Sequence, residues 1–282
     1  MDARPADAIY RGNLTRLLEK VRDERGLDLA HYRPRYVERR IATRLQALGV
    51  HTYRQYAARL DEDPAEYARL LDALTINVTQ FFRDPTVYDR LRTTVLPDLL
   101  ADKSSRGQRV VRVWSAGCAT GQEPYSLAMS LLSEVERVPD RQFVPSVIGT
   151  DIDRTALAVA KRGEYPVAEL AHIPAADRER YVEVVGERFR FRPKVTGVVR
   201  FQHLNLLNDQ PVRGVDVIFC RNVFIYLNRD QQERLLESFH DALGRGGYLV
   251  LGRSERLAPA LSKRFELVDA RERIYRKPRS LQ

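Results

Sequence analysis

The sequence predicts an α/β protein with a helical region in front of it, and three observations carry that prediction. First, Val110 to Ser126 reads as a strand rich in β-branched residues, a turn holding Gly117 and Gly121, and the start of a helix on which Leu127, Ala128, Leu131, Leu132 and Val135 share one face. Second, strand-like and helix-like runs alternate after this stretch, the order that builds a mostly parallel sheet. Third, the chain before about Leu74 shows helical periodicity and no convincing strand. A strand, a tight glycine turn and a helix N-terminus together open a Rossmann-like, nucleoside-binding unit.

Composition narrows the class. With 282 residues, 44% hydrophobic and 30% charged, the chain is long enough for one large or two modest cores. Its net charge of +9 favours an acidic partner, whether nucleic acid, anionic membrane or an acidic protein surface. The beginning, Met-Asp-Ala-Arg-Pro-Ala-Asp, lacks the apolar core of a secretory signal, and no apolar run reaches membrane-spanning length. A cytoplasmic protein without membrane insertion is therefore expected. Two cysteines, Cys118 and Cys220, suit a reducing compartment rather than a disulfide scaffold.

The elements follow in order. Ile9, Leu14, Leu17, Leu18 and Val21 form a first apolar stripe closed by Gly26, and Pro34 opens a helix bearing Val37, Ile41, Leu45 and Leu48 that ends at Gly49. Arg33, Arg35, Arg39, Arg40 and Arg44 crowd this helix against the single acid Glu38, which makes it either a solvated basic face or a dock for an acidic partner. Tyr53, Tyr56, Leu60, Tyr67, Leu70, Leu71 and Leu74 complete a helical domain spanning 1–74. The remainder, 75–282, forms the second domain. Its connecting segment places Asn77, Thr79 and Arg83 beside Phe81 and Phe82; Asp84 and Pro85 read as the N-cap and first residue of a helix running to Pro97.

Beyond the glycine turn, Ser146 to Asp153 is a strand ending in acids. Asp151 stands where an acid accepts hydrogen bonds from ribose hydroxyls, while Asp153 suits helix capping. The alternation is interrupted at about 164–200 by a small inserted subdomain in which Arg188 to Arg192 alternates basic and aromatic residues, a strand with one wet and one dry face. Further strands follow at Val198 to His203 and Val215 to Cys220, then a helix through Phe239 that ends at Gly244, and a strand at Tyr248 to Leu251. A closing pair, Phe265 to Val268 and Arg273 to Lys277, ends the sheet.

The turn after the first strand carries neither the dinucleotide fingerprint nor the phosphate-binding loop, and Glu123 puts a carboxylate where a phosphate would sit. Such a site suits a cationic, nucleoside-like ligand without phosphates, a description met by S-adenosylmethionine; the same stretch also fits an ordinary strand–turn–helix that binds nothing. No carboxylate cluster completes a metal site, so no metal is expected.

Asn77-x-Thr79-x-Phe81-Phe82-Arg83-Asp84, Trp114 to Ser126, Gly149 to Asp153, Asn205-Leu206 and Cys220 to Tyr226, in this order, resemble the chemotaxis receptor glutamate methyltransferases, the CheR family. The resemblance implies a class I S-adenosylmethionine-dependent methyltransferase domain with an N-terminal all-helical domain and a small inserted β subdomain. It implies methyl transfer to glutamate side chains on the cytoplasmic methylation helices of chemoreceptors, with S-adenosylhomocysteine as product, by a monomeric protein. Carried across, Asn77, Thr79, Arg83, Gly117, Glu123, Asp151, Asn205, Leu206, Arg221 and Asn222 line the cofactor pocket. Glu123 is expected near the methionine ammonium, Asp151 on the ribose, and Asn205-Leu206 by the adenine. Arg83 and Tyr226 are the expected catalytic residues facing the substrate, and Arg39, Arg40 and Arg44 the receptor-docking residues. The compact run from Glu187 to Thr196 points to a member that works without gripping a receptor C-terminal peptide. Two rivals remain: an RNA or DNA methyltransferase, against which Cys220-Arg221-Asn222-Val223 stands in place of an Asn/Asp-Pro-Pro-aromatic motif, and a non-catalytic cofactor-sensing, receptor-binding protein.

Overall fold

A computed structural model describes residues 5–25, 27–74, 78–138 and 143–279, without the side chains of 5–12 and 260. Gly26, Asn77 and the side chain of Ile9, all singled out above, lie outside the described residues. The chain divides into two units: Met1–Ile76 with Tyr226–Gln231, and Asn77–Ile225 with Gln232–Gln282.

The first unit is built from helices α1 (Pro5–Arg25), α2 (Pro34–Leu48), α3 (Tyr53–Glu62) and α4 (Pro64–Leu74). Pro34 sits in the first turn of α2, and Gly49 takes the left-handed conformation (φ 66°) that closes it. Thr52 and Gln55 form a capping box on α3. Leu17, Val21, Val37, Ile41, Tyr56, Leu60 and Leu70 are buried at the centre. Among them lies Glu66, fully buried, accepting from Arg44 Nε at 2.9 Å and Nη2 at 2.6 Å and from the Tyr56 hydroxyl at 2.9 Å.

Burial pushes the Glu66 carboxyl up, but these hydrogen bonds outweigh it and hold the group below its ordinary range. Glu66→Ala leaves the half-buried Arg44 guanidinium and the buried Tyr56 hydroxyl without this partner, so urea unfolding is expected to show a loss of about 2 kcal/mol. Because the folded pKa is lowered, this stabilisation is present above the ordinary carboxylate pKa and is lost as pH falls through the lowered value.

The last piece of this unit comes from far along the chain. Arg33 N–H donates to the Tyr226 carbonyl at 2.8 Å, Asn228 N–H to the His31 carbonyl at 3.0 Å, and Tyr32 and Leu227 form an antiparallel bridge.

The second unit is a seven-stranded sheet in the order β6-β2-β1-β7-β8-β10-β9. The strands are β1 (Val110–Ala116), β2 (Val144–Asp151), β6 (Val199–His203), β7 (Val215–Cys220), β8 (Leu243–Leu251), β9 (Glu266–Asp269) and β10 (Ile274–Arg276). All neighbours pair parallel except at β10, which is antiparallel to both β8 and β9. β8 starts at Leu243, so the preceding helix, Arg229–Ala242, ends before Gly244; the register shifts there, with the extra residues on β8 between Leu243 and Tyr248 opposite Val215 to Val217 of β7. The order of strands reverses between β1 and β7, and a ligand crevice forms outside the strand ends at such a switch point.

Two expectations at the entrance to this sheet are corrected. The helix opened by Pro85 does not stop at Pro97: α5 (Pro85–Arg90) runs through a π-helical turn, Leu91–Val95, into α6 (Leu96–Ser105). Proline has no N–H to give an α-helical ladder, and the wider turn just ahead of it, with Leu96 N–H donating to the Leu91 carbonyl, absorbs the fault. Nor does the Asp84 side chain cap α5; the residue is left-handed (φ 56°) and its carboxylate pairs with Arg221 instead.

The inserted subdomain is a three-stranded antiparallel sheet, β3 (Glu164–Pro166), β5 (Arg188–Phe191) and β4 (Val182–Val185), with β5 in the middle. Along β5 the arginines are exposed and Phe189 and Phe191 buried, the alternation expected from the sequence. The dry face packs on Phe81, 5.7 Å from Phe189 and 5.6 Å from Phe191, while Tyr125 stacks on Phe191 at 4.3 Å.

Candidate active site

The loop after β1 is shaped by its neighbours before any ligand is considered. Gly117 and Cys118 N–H groups donate to the Thr150 carbonyl at 2.8 and 2.9 Å, and Ala119 N–H donates to Asp151 at 2.8 Å. Gly117 (φ 81°) and Gly121 (φ 97°) supply left-handed backbone. A Cβ on Gly117 would lie 2.6 Å from Val223 Cγ2, and one on Gly121 2.7 Å from the Ala160 Cβ. The glycines therefore serve close packing within the protein. The inserted subdomain braces the same loop, since the Tyr165 hydroxyl donates to the Thr120 carbonyl at 2.8 Å.

Helix α7 (Gln122–Val135) starts at this loop, and Glu123 lies in its first turn. Its carboxylate accepts from the Ser115 hydroxyl at 2.7 Å, and the residue is half-buried. Burial raises its carboxyl above the ordinary range, although the positive charges of Arg221 and Arg83 draw it back. At the end of β2, Asp151 is buried; one oxygen accepts from Ala119 and the other from Asp153 N–H at 2.9 Å, and burial raises this group too. Asp153 caps α8 (Arg154–Arg162) through Thr155 and Ala156, as its position suggested. Asn205 and Leu206, half-buried, follow β6, where the Asn205 side chain accepts from Leu207 N–H at 3.0 Å.

The segment before α5 reaches Glu123 through charge, since the Arg83 cation draws its carboxyl down. Phe81 and Phe82 are buried anchors, and between Phe82 (φ 48°) and Asp84 (φ 56°) sits Arg83, whose Nη1 donates to the Val78 carbonyl at 2.9 Å. Arg221, buried at the end of β7, ties this segment down by donating from Nη1 to the Arg83 carbonyl at 2.9 Å and from Nη2 to Asp84. Among the described residues, the non-glycine positions with positive φ other than Arg273 are Phe82 and Asp84 on the segment before α5, Ala119 after β1 and Asn222 after β7. Strain of this kind persists only where the surroundings over-determine the backbone. Thr79 lies on the same segment, half-buried.

Of the residues expected at the cofactor, Thr79, Arg83, Gly117, Glu123, Asp151, Asn205, Leu206, Arg221 and Asn222 lie on the second unit. Tyr226 belongs to the first, its ring 4.9 Å from that of Tyr36 on α2. On α2, Arg39 is exposed and Arg40 half-buried, its guanidinium 5.6 Å from the Tyr36 ring; Arg44 is committed to Glu66. Of the three expected docking arginines Arg44 is thus spent inside the helical unit, while Arg35, four residues before Arg39, is exposed as well. Both cysteines are buried and their thiols pushed up by burial, which makes them packing residues rather than nucleophiles. Glu255 went unnoticed in the sequence because a lone acid in a loop carries no motif.

The residues present fit a cationic nucleoside. Glu123 is a carboxylate that burial disfavours and a cation would relieve, and Arg221 Nε is buried with no hydrogen-bond partner among the described residues. Among the described residues no group of His, Cys, Asp and Glu could hold a metal ion, and no helix is long and apolar enough to cross a membrane.

The fold and the crevice define a Rossmann-like nucleoside-binding domain joined to a helical one, and comparison gives the family. The CheR methyltransferase SAM-binding domain matches residues 77–274 and the CheR methyltransferase all-alpha domain residues 13–75. The chain belongs to the CheR methyltransferase family and is an S-adenosylmethionine-dependent methyltransferase. The chemotaxis protein methyltransferase of Listeria monocytogenes is 35% identical over 238 residues, covering 84% of this chain and 87% of that protein. Chemotaxis protein methyltransferase 2 of Pseudomonas aeruginosa is 34% identical over 241 residues, 83% of each. An uncharacterised 104.1 kDa protein of Rhodobacter capsulatus is 34% identical over 271 residues; the match covers 96% of this chain, which spans 28% of that protein's length.

Proposed function

We propose that this methyltransferase acts in the cytoplasm on glutamate side chains of chemoreceptor methylation helices, converting carboxylates to methyl esters. The observation that carries the reading is the placement of Arg83: a cation on an anchored, strained segment whose charge reaches the Glu123 carboxyl, so that an anionic acceptor can be held beside the cofactor. When bound, S-adenosylmethionine supplies a methyl group already activated by its sulfonium. Glu123 would hold its ammonium, Asp151 its ribose hydroxyls and Asn205-Leu206 its adenine, with Thr79, Arg221 and Asn222 completing the pocket.

A glutamate side chain, with an ordinary pKa of about 4.3, is already ionised at neutral pH, so the protein need supply no base. What remains is alignment and exclusion of water, since a reaction between an anion and a cation loses charge as it proceeds and is slowed by solvation. Arg83 would fix one carboxylate oxygen and leave the other free to react; Tyr226 would align the carboxylate through its hydroxyl. The acidic methylation helices would dock on Arg39 and Arg40 by complementary charge. Reversing both charges, Arg39→Glu with Arg40→Glu, is expected to raise KM for a receptor cytoplasmic fragment about tenfold, ~1.4 kcal/mol, with cofactor affinity unchanged. Unchanged KM in a steady-state methylation assay would remove α2 from the docking surface.

A further inference from the structure

The turn after β8 builds the loop after β7. Glu255, 4% exposed, accepts from Gly252 N–H at 2.6 Å and Asn222 N–H at 3.1 Å through Oε2, and from Phe224 N–H at 2.9 Å through Oε1. A carboxylate is costly to bury, and burial indeed raises this one; the main-chain donors gathered on it are what offset that cost. The same turn is tied to the start of α5 and to the turn before β10, because Arg253 Nη2 donates to the Thr86 hydroxyl at 2.6 Å and to Glu272 at 2.9 Å. Between these ties lies Asn222 in the left-handed conformation (φ 62°) that asparagine tolerates better than most side chains, its N–H held by Glu255, next to Arg221 and its grip on Arg83 and Asp84.

We propose that Glu255 is a positioning residue for the cofactor pocket. By collecting the Asn222 and Phe224 N–H groups it presets the loop backbone, so that Arg221 and Asn222 are in place before the ligand arrives and binding orders nothing further. The inference rests on the reading of Arg221 and Asn222 as cofactor contacts.

Titration calorimetry of the full chain with S-adenosylhomocysteine tests it, using Glu255→Gln, Gly252→Ala and Asn222→Ala beside the native protein. Glutamine keeps the size of Glu255 but turns an amide toward N–H donors. Gly252→Ala deletes no polar group, yet its Cβ would lie 2.7 Å from Glu255 Oε2 and 3.1 Å from Asn222 N, displacing the carboxylate. Both variants are expected to raise Kd about tenfold, with a less favourable binding entropy because the loop must now be ordered by the ligand.

A lowered Tm with unchanged Kd in both variants would overturn the proposal and leave Glu255 a purely structural group. If Asn222→Ala weakens binding while the Glu255 and Gly252 variants do not, the positioning role alone fails. If the reverse holds, the assignment of the Asn222 side chain fails and the role of Glu255 stands. Should Glu255→Gln unfold the protein, Gly252→Ala carries the test.

Discussion

Glu123→Gln is expected to weaken S-adenosylhomocysteine binding about a hundredfold, ~2.7 kcal/mol, the scale of a lost charged hydrogen bond. The substitution preserves size and the contact with the Ser115 hydroxyl but removes the charge that an ammonium would meet. The pH dependence follows from the same group. In the free protein burial raises the Glu123 carboxyl, favouring its neutral form, and a bound ammonium favours the ionised form. Binding near and below the raised pKa therefore releases a proton, and affinity falls as pH drops through it. Calorimetry in buffers of different ionisation enthalpy reads this release directly; Glu123→Gln should abolish it. Equal affinity in the variant, or proton release that survives it, would place the ammonium elsewhere.

Arg83→Ala is the second large effect expected: kcat for methyl transfer about a hundredfold lower, ~2.7 kcal/mol of barrier. The segment that carries Arg83 is held by Phe81 and Phe82 and by Arg221 on its backbone carbonyl, so truncation of the side chain should leave the loop in place. Tyr226→Phe should cost about tenfold in kcat, the share of a single neutral hydrogen bond. Single-turnover methylation of a receptor fragment, with cofactor affinity measured alongside, separates loss of chemistry from loss of binding. Unchanged transfer rates with intact cofactor binding in both variants would contradict both roles.

Much of the second unit was legible in the sequence because its signals are local. The run Val110 to Val135 carries strand, turn and helix in its own periodicity, and the alternation of Arg188 to Phe191 states its two faces. What the sequence could not show depends on partners far along the chain. Nothing at Asp84 distinguishes a cap from a partner of Arg221, and nothing at Arg44 distinguishes a surface cation from the neutraliser of a buried Glu66. Nor does the run after Cys220 announce that Tyr226 to Gln231 completes the helical unit. The π-turn before Pro97 escaped for a different reason: a proline reads as a stop unless the helix around it can widen.

The central claim is ester formation on receptor glutamates, and one measurement meets it directly. The full chain is incubated with methyl-labelled S-adenosylmethionine and receptor cytoplasmic fragments, and the labelled fragment is treated with mild base. Label is expected on the fragment, released by base as methanol and lost when the methylation glutamates are replaced by alanine. Label that resists base, or that goes to nucleic acid and not to the fragment, would contradict it.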